Sequence, residues 1–145
     1  MSARPTRSTA AGRAYLDVQN LARRTGRPTD ELHQLYALEG LLARLVASPY
    51  RDRLVLKGGV LLAAYEARRP TRDVDLQARQ VPNQVEDVLG MVREIAAVPL
   101  DDGLVFDAAV ATATSIRDED SYSGVRVNLT GTLASARLAL HADVN

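Results

Sequence analysis

A short apolar run, a diglycine and two later carboxylates constrain this chain more than any other feature. Residues 54–56 read Leu-Val-Leu, which is typical of a buried strand, and Lys-Gly-Gly follows at 57–59. After a spacer of thirteen residues the chain reads Asp-Val-Asp-Leu at 73–76. Successive side chains of a strand point to opposite faces, so a strand here places both aspartates on one face. The pattern predicts a sheet with one buried face and one face that carries carboxylates.

The diglycine precedes an apolar run at 60–65 that is typical of a short helix. Glycine lets the backbone approach an anion closely, and the amides and dipole at a helix start favour phosphate. Mg2+ prefers oxygen ligands and is usually held by one or two carboxylates together with substrate phosphates. This stretch therefore predicts a site for a metal–nucleotide complex. The predicted nucleotide-binding residues are Lys57, Gly58, Gly59, Thr71 and Arg72, and the predicted metal ligands here are Asp73 and Asp75.

Each part of this pattern has a more ordinary explanation when it occurs alone. An isolated Asp-x-Asp is commonly a solvated strand end, and an isolated Gly-Gly is commonly a turn. Metal-dependent glycosyltransferases also carry an Asp-x-Asp motif, but no diglycine–helix unit is expected at this distance upstream of it. The combination at this spacing favours a nucleotide site.

Hydrophobic periodicity predicts helices early in the chain and strands later. Helices are expected at about 10–24, from 29 to Ser48-Pro49 and from Pro82 to about 98, with strands at about 104–116, 122–133 and 136–144. The expected fold class is α+β, a mixed β-sheet with helices packed on it and N-terminal helices preceding the sheet. We expect a single domain over 1–145, with residues 1–28 as a loosely attached N-terminal segment.

The composition is that of an ordinary globular protein, 46% hydrophobic and 25% charged. Eighteen basic residues balance eighteen acidic ones, so a nucleic acid would be held by local patches rather than by a global positive field. The absence of cysteine excludes disulfides and thiolate metal sites. No apolar run approaches the roughly 20 residues that span a bilayer, and the N-terminus lacks the apolar core of a signal peptide. We expect a cytoplasmic protein that does not bind membranes.

The predicted last strand carries further candidate site residues. Arg137, His141 and Asp143 alternate with apolar residues, so one face of the strand would present them together. Asp143 lies between two apolar residues, as Asp75 does. A solvated strand end is the ordinary alternative for Asp143.

The quoted residues together resemble the signature of the polymerase-beta type nucleotidyltransferase superfamily: Gly-Gly or Gly-Ser after a hydrophobic residue, a spacer, then Asp-hydrophobic-Asp-hydrophobic. The segments 56–62 and 69–76 resemble in particular the AbiEii/AbiGii-like toxins of type IV toxin–antitoxin systems, which include the MenT enzymes. The resemblance implies transfer of NMP from an NTP to an RNA acceptor, a tRNA 3′ end, which blocks translation. It also implies Mg2+ or Mn2+ as the metal ion and a cognate antitoxin as partner.

The resemblance implies roles for several residues. Asp143 would complete a metal-binding triad with Asp73 and Asp75. A downstream basic residue would take part in catalysis; Arg126 and Arg137 are the two candidates, of which Arg137 is assigned as catalytic. Phosphorylation of Thr71 by the antitoxin would block the site through added negative charge.

The family pattern continues into a helical C-terminal region, which we expect to be missing here. Two alternatives to a toxin enzyme remain, namely a catalytically silent nucleotide-binding or regulatory module and a plain interaction protein. Binding of Mg-NTP and release of pyrophosphate distinguish the three.

Replacing Gly59 with valine tests the phosphate-binding role of the diglycine. A β-branched side chain blocks close backbone approach to phosphate, so Gly59→Val should raise the KM for NTP. Pyrophosphate release at increasing NTP concentration measures the KM, and circular dichroism checks that the fold is unchanged. An unchanged KM would show that the diglycine is only a turn.

Overall fold

The computed structural model describes residues 4–56, 73–79, 84–118 and 121–145. Within these ranges the chain is α+β, as the sequence predicts. The helices are α1 (Ala10–Thr25), α2 (Thr29–Ala47) and α3 (Val85–Ala96), and the strands are β1 (Leu54–Leu56), β2 (Asp73–Ala78), β3 (Leu104–Phe106), β4 (Thr112–Asp118), β5 (Ser121–Leu133) and β6 (Ala136–Val144). The helix predicted at 60–65 lies outside the described residues. No described helix has the length and apolar character needed to cross a membrane.

The described strands form one mixed sheet. Its order is β1-β2-β6-β5-β3, and β4 also pairs with β5. β2 and β6 pair in parallel, whereas the other pairings between described strands are antiparallel. β6 therefore lies between β2 on one side and β5 on the other.

One face of the sheet is buried beneath the helices. Alternate residues of β2 and β6 enter this core, and each is at most 4% exposed: Val74, Leu76, Leu140, Ala142 and Val144. They share one hydrophobic cluster with apolar residues of α2 and α3. Burying a large aliphatic side chain stabilises a fold by about 1.5–3 kcal/mol, so this face holds the sheet to the helices.

The first helix joins the same core. Thr9 caps α1, because its hydroxyl accepts a hydrogen bond from the Gly12 amide at 3.0 Å. Val18 and Ala22 of α1 are buried in the cluster shared with the sheet. The segment 1–28, expected to be loosely attached, thus includes a helix that packs against α2.

The strand predicted at 104–116 is divided in the structure. β3 ends at Phe106 and β4 begins at Thr112, with a 3-10 helix over Ala108–Val110 between them. The guanidinium of Arg93 in α3 donates hydrogen bonds to the carbonyl oxygens of Ala108 at 3.1 Å and Ala111 at 2.9 Å. This contact joins segments that are distant in sequence, so strand periodicity could not indicate the break.

A buried arginine ties α2 to the start of β3. The Arg44 side chain is 2% exposed and donates to both carboxylate oxygens of Asp102, at 2.7 and 2.9 Å. It also donates to the Leu104 carbonyl at 3.1 Å. Burial acts to raise the pKa of Asp102, but the hydrogen bonds from Arg44 and the Leu104 amide outweigh it, and the pKa of Asp102 is lowered.

Asp102→Asn should destabilise the fold by about 3 kcal/mol at neutral pH, because Arg44 would keep a buried charge without its counter-ion. A lowered folded-state pKa means that Asp102 contributes stability above its unfolded-state pKa and loses it as the pH falls through the folded-state pKa. The difference in free energy of unfolding between the unmutated chain and Asp102→Asn should therefore shrink in acid. Urea unfolding at pH 7 and at successively lower pH measures this difference.

Asp17→Asn is the matched control, since it removes the partner of Arg7 from an ion pair in which both side chains are more than half exposed. It should cost less than about 1 kcal/mol. Equal losses in the two aspartate variants would contradict a stabilising role for the buried pair.

Candidate functional site

The parallel pairing of β2 with β6 brings two of the predicted carboxylates together. In the register of these strands Asp75 lies opposite Asp143, and Asp73 lies opposite His141. Paired residues of neighbouring strands lie about 4.8 Å apart and project to the same face. The carboxylates of Asp75 and Asp143 are therefore within reach of one cation.

The face on which Asp143 lies is fixed by its neighbours in β6. Ala142 and Val144 are each 1% exposed in the core, while the side chain of Asp143 between them is 17% exposed. A shift of one residue in the pairing would move Asp143 into the apolar core. The hydrophobic pattern of β6 thus places the carboxylate.

Arg126 of β5 holds Asp143 from the other side. The two residues are opposite one another in the antiparallel pairing. Arg126 donates from Nε to Oδ1 at 2.8 Å and from Nη2 to Oδ2 at 2.9 Å. Such a bidentate pair fixes the orientation of the carboxylate. Asp75, Asp143 and Arg126 form a line across β2, β6 and β5 that we call the carboxylate row.

A glycine allows β5 to approach the end of β6 beside this row. Gly124 has a φ of 140°, a backbone conformation that residues other than glycine rarely adopt. A Cβ atom at this position would lie 2.5 Å from the carbonyl oxygen of Val144. Gly124 therefore permits the close strand contact that sets Arg126, two residues later, against Asp143.

The donor atoms of the carboxylate row suit a hard divalent cation. Each carboxylate oxygen has two lone pairs, so Asp143 keeps sites for a cation while Arg126 donates to it. Among the described side chains, no group of three His, Cys, Asp or Glu residues is placed to hold a metal ion. The side chain of Asp73, the third predicted ligand, is outside that set. Asp75 and Asp143 fit a cation that takes further ligands from substrate phosphates.

The structure does not bring Arg137 to the carboxylate row. Arg137 lies on the same strand as Asp143 and on the same face, but six positions earlier, a distance of about 20 Å along the strand. The other predicted site residues, Lys57, Gly58, Gly59, Thr71 and Arg72, lie outside the described residues.

Sequence reasoning named Arg126 as one of two basic candidates and missed Asn128. Asn128 lies opposite His141 and donates a hydrogen bond to the Thr112 hydroxyl at 3.4 Å, so it extends the polar face beside the carboxylate row. Alternating polar residues at 126, 128, 130 and 132 of β5 are the signal that could identify this face.

A mixed sheet with helices on one face and paired carboxylates on adjacent parallel strands of the other defines a nucleotidyltransferase-like α+β domain. The family model described as the nucleotidyl transferase AbiEii toxin of type IV toxin–antitoxin systems matches residues 40–145. The chain therefore belongs to the AbiEii family, which confirms the resemblance inferred from its motifs. Membership in this family implies a nucleotide substrate and an antitoxin partner. No individual curated protein matches the chain significantly.

A double-mutant cycle on Arg126 and Asp143 should give a coupling energy of about 1–2 kcal/mol, because the pair is bidentate and Asp143 is largely buried. The free energies of urea unfolding of Arg126→Ala, Asp143→Ala and the double variant measure it. The same cycle on Arg51 and Asp52 is the control, since this pair is 3.9 Å apart and exposed, and should couple by less than about 0.5 kcal/mol. Similar values for the two pairs would contradict the assigned geometry.

Proposed function

We propose that this chain is a metal-dependent nucleotidyltransferase toxin that transfers NMP from an NTP to the 3′ end of a tRNA and thereby blocks translation. The observation that carries the proposal is the register that sets Asp75 opposite Asp143, in a chain that matches the AbiEii family over residues 40–145. Two carboxylates on directly opposed residues of neighbouring strands suit a metal site that is completed by the phosphates of a nucleotide.

The proposed reaction is an in-line displacement at the α-phosphorus of the NTP. The acceptor hydroxyl forms a bond to this phosphorus while the bond to the β-phosphate oxygen breaks, and pyrophosphate leaves. A divalent cation held by Asp73, Asp75 and Asp143, Mg2+ or Mn2+, would supply charge neutralisation for the triphosphate and the leaving group. The carboxylate nearest the acceptor hydroxyl takes its proton.

Arg126 acts in this proposal as a positioning residue. Its bidentate hydrogen bonds hold the plane of the Asp143 carboxylate. Its positive charge offsets the repulsion between the neighbouring carboxylates of Asp75 and Asp143. The family resemblance implies a basic residue at the site, and this assignment is better supported for Arg126 than for Arg137.

Gly58 and Gly59 remain the proposed phosphate-binding residues, with Lys57 beside them. Among the described residues, the position of β1 supports this phosphate-binding role. β1 ends at Leu56, which pairs with Leu76 next to Asp75. The chain thus enters the diglycine from a point beside the carboxylate row.

Asp75→Asn should abolish nucleotidyl transfer and leave the fold intact, because it removes a metal ligand from the polar face without touching the core. The chain is incubated with total tRNA, Mg2+ and each labelled NTP, and the label in RNA is measured. Asp87→Asn, an exposed aspartate on α3, is the matched control and should keep its activity.

Transfer that persists in both Asp75→Asn and Asp73→Asn, with unchanged circular dichroism, would contradict the carboxylate mechanism. Binding of Mg-NTP by the unmutated chain without pyrophosphate release would favour a catalytically silent nucleotide-binding module.

A further inference from the structure

An open cleft of about 650 Å³ lies on the sheet away from the carboxylate row. Its walls include Thr130 and Thr132 of β5 and Arg137 and Ala139 of β6. These residues occupy the alternating positions of the two strands that share a face with the carboxylate row. Val105, Phe106 and Leu138 also line the cleft, so its polar wall, rather than the whole cleft, shares a face with the row.

The strand register makes this face continuous from the cleft to the carboxylates. Thr132 lies opposite Arg137 and Thr130 lies opposite Ala139. The next pair on this face, Asn128 with His141, leads to Arg126 and Asp143. A flexible polymer that lies along β5 and β6 would extend over about 20 Å from Arg137 to Asp143.

The chemistry of the cleft suits a single strand of RNA. Arg137 is exposed, and no described group pairs with its guanidinium, which can bind a phosphate through two parallel hydrogen bonds. The hydroxyls of Thr130 and Thr132 and the exposed carboxylate of Asp107 can hydrogen-bond ribose 2′-hydroxyls. The small side chain of Ala139 leaves room beside the backbone.

We propose that this cleft binds the unpaired segment that precedes the 3′ end of the RNA acceptor, with Arg137 on one of its phosphates. The inference rests on the proposed function, which requires the 3′-terminal hydroxyl of the RNA to lie near Asp143. This requirement sets the direction in which the RNA strand runs. The chain has a net charge of zero, so its affinity for RNA depends on local contacts of this kind. Arg137 is then a binding residue for the acceptor rather than a group at the reaction centre.

Arg137→Ala should weaken the binding of a short single-stranded oligoribonucleotide about tenfold. Fluorescence anisotropy of a 5′-labelled oligoribonucleotide, without NTP, measures the Kd over a series of salt concentrations. The negative slope of log K against log salt should also become shallower by about 0.7, because one phosphate contact to a single strand is removed. Arg137→Lys should recover part of the affinity, since lysine keeps the charge but not the bidentate geometry.

Arg24→Ala is the matched control, because Arg24 is an exposed arginine on α1 and does not line the cleft. Its Kd should equal that of the unmutated chain. An unchanged Kd for Arg137→Ala, or an equal loss in both variants, would overturn the proposal. Equal affinity for the oligodeoxyribonucleotide of the same sequence would also overturn it, since the threonine hydroxyls and Asp107 would then recognise no 2′-hydroxyl.

This binding assay is independent of catalysis. Arg137-dependent RNA binding without NMP transfer would contradict the proposed function and support the cleft assignment. If NMP is transferred to an RNA, and Arg137→Ala binds that RNA as tightly as the unmutated chain does, the proposed function is supported. The cleft assignment is then overturned.

Discussion

The pairing of β6 with β2 on one edge and with β5 on the other is the constraint on which the rest of the structure depends. The ladder that buries Ala142 and Val144 also sets Asp143 between Asp75 and Arg126. Burying a valine or leucine side chain contributes about 1.5–3 kcal/mol, whereas a cross-strand side-chain pair is worth about 0.2–1 kcal/mol. Burial on one face therefore outweighs the repulsion between carboxylates on the other, and the core holds the site together.

The sequence predicts well what depends on local pattern. Periodicity locates α1 and α2, and alternation locates β6 and assigns its two faces. The break between β3 and β4 was missed, and the segment at the break accepts hydrogen bonds from Arg93 of α3. Contacts between distant segments leave no trace in a local pattern.

The same distinction applies to the site. Asp75 and Asp143 each occur in an alternating strand pattern, but only the family resemblance suggested that they meet. Arg126 and Arg137 are equivalent by pattern, since both occupy polar positions of strands predicted in the second half of the chain. The strand register distinguishes them, because it sets Arg126 against Asp143 and Arg137 against Thr132. A register is a property of the assembled sheet, and the pattern within one strand does not show which residues of another strand lie opposite it.

The parallel pair of β2 and β6 also determines when the site can exist during folding. β5 and β6 are adjacent in sequence and can pair as a hairpin early, whereas β2 is separated from β6 by α3 and by three intervening strands. Closing such a long loop costs entropy before any contact compensates for it, so pairings of this kind form slowly. A partly folded chain can therefore contain the Arg126–Asp143 pair before β2 has paired with β6 and placed Asp75 opposite Asp143. The carboxylate row is complete only when this long-range contact has formed.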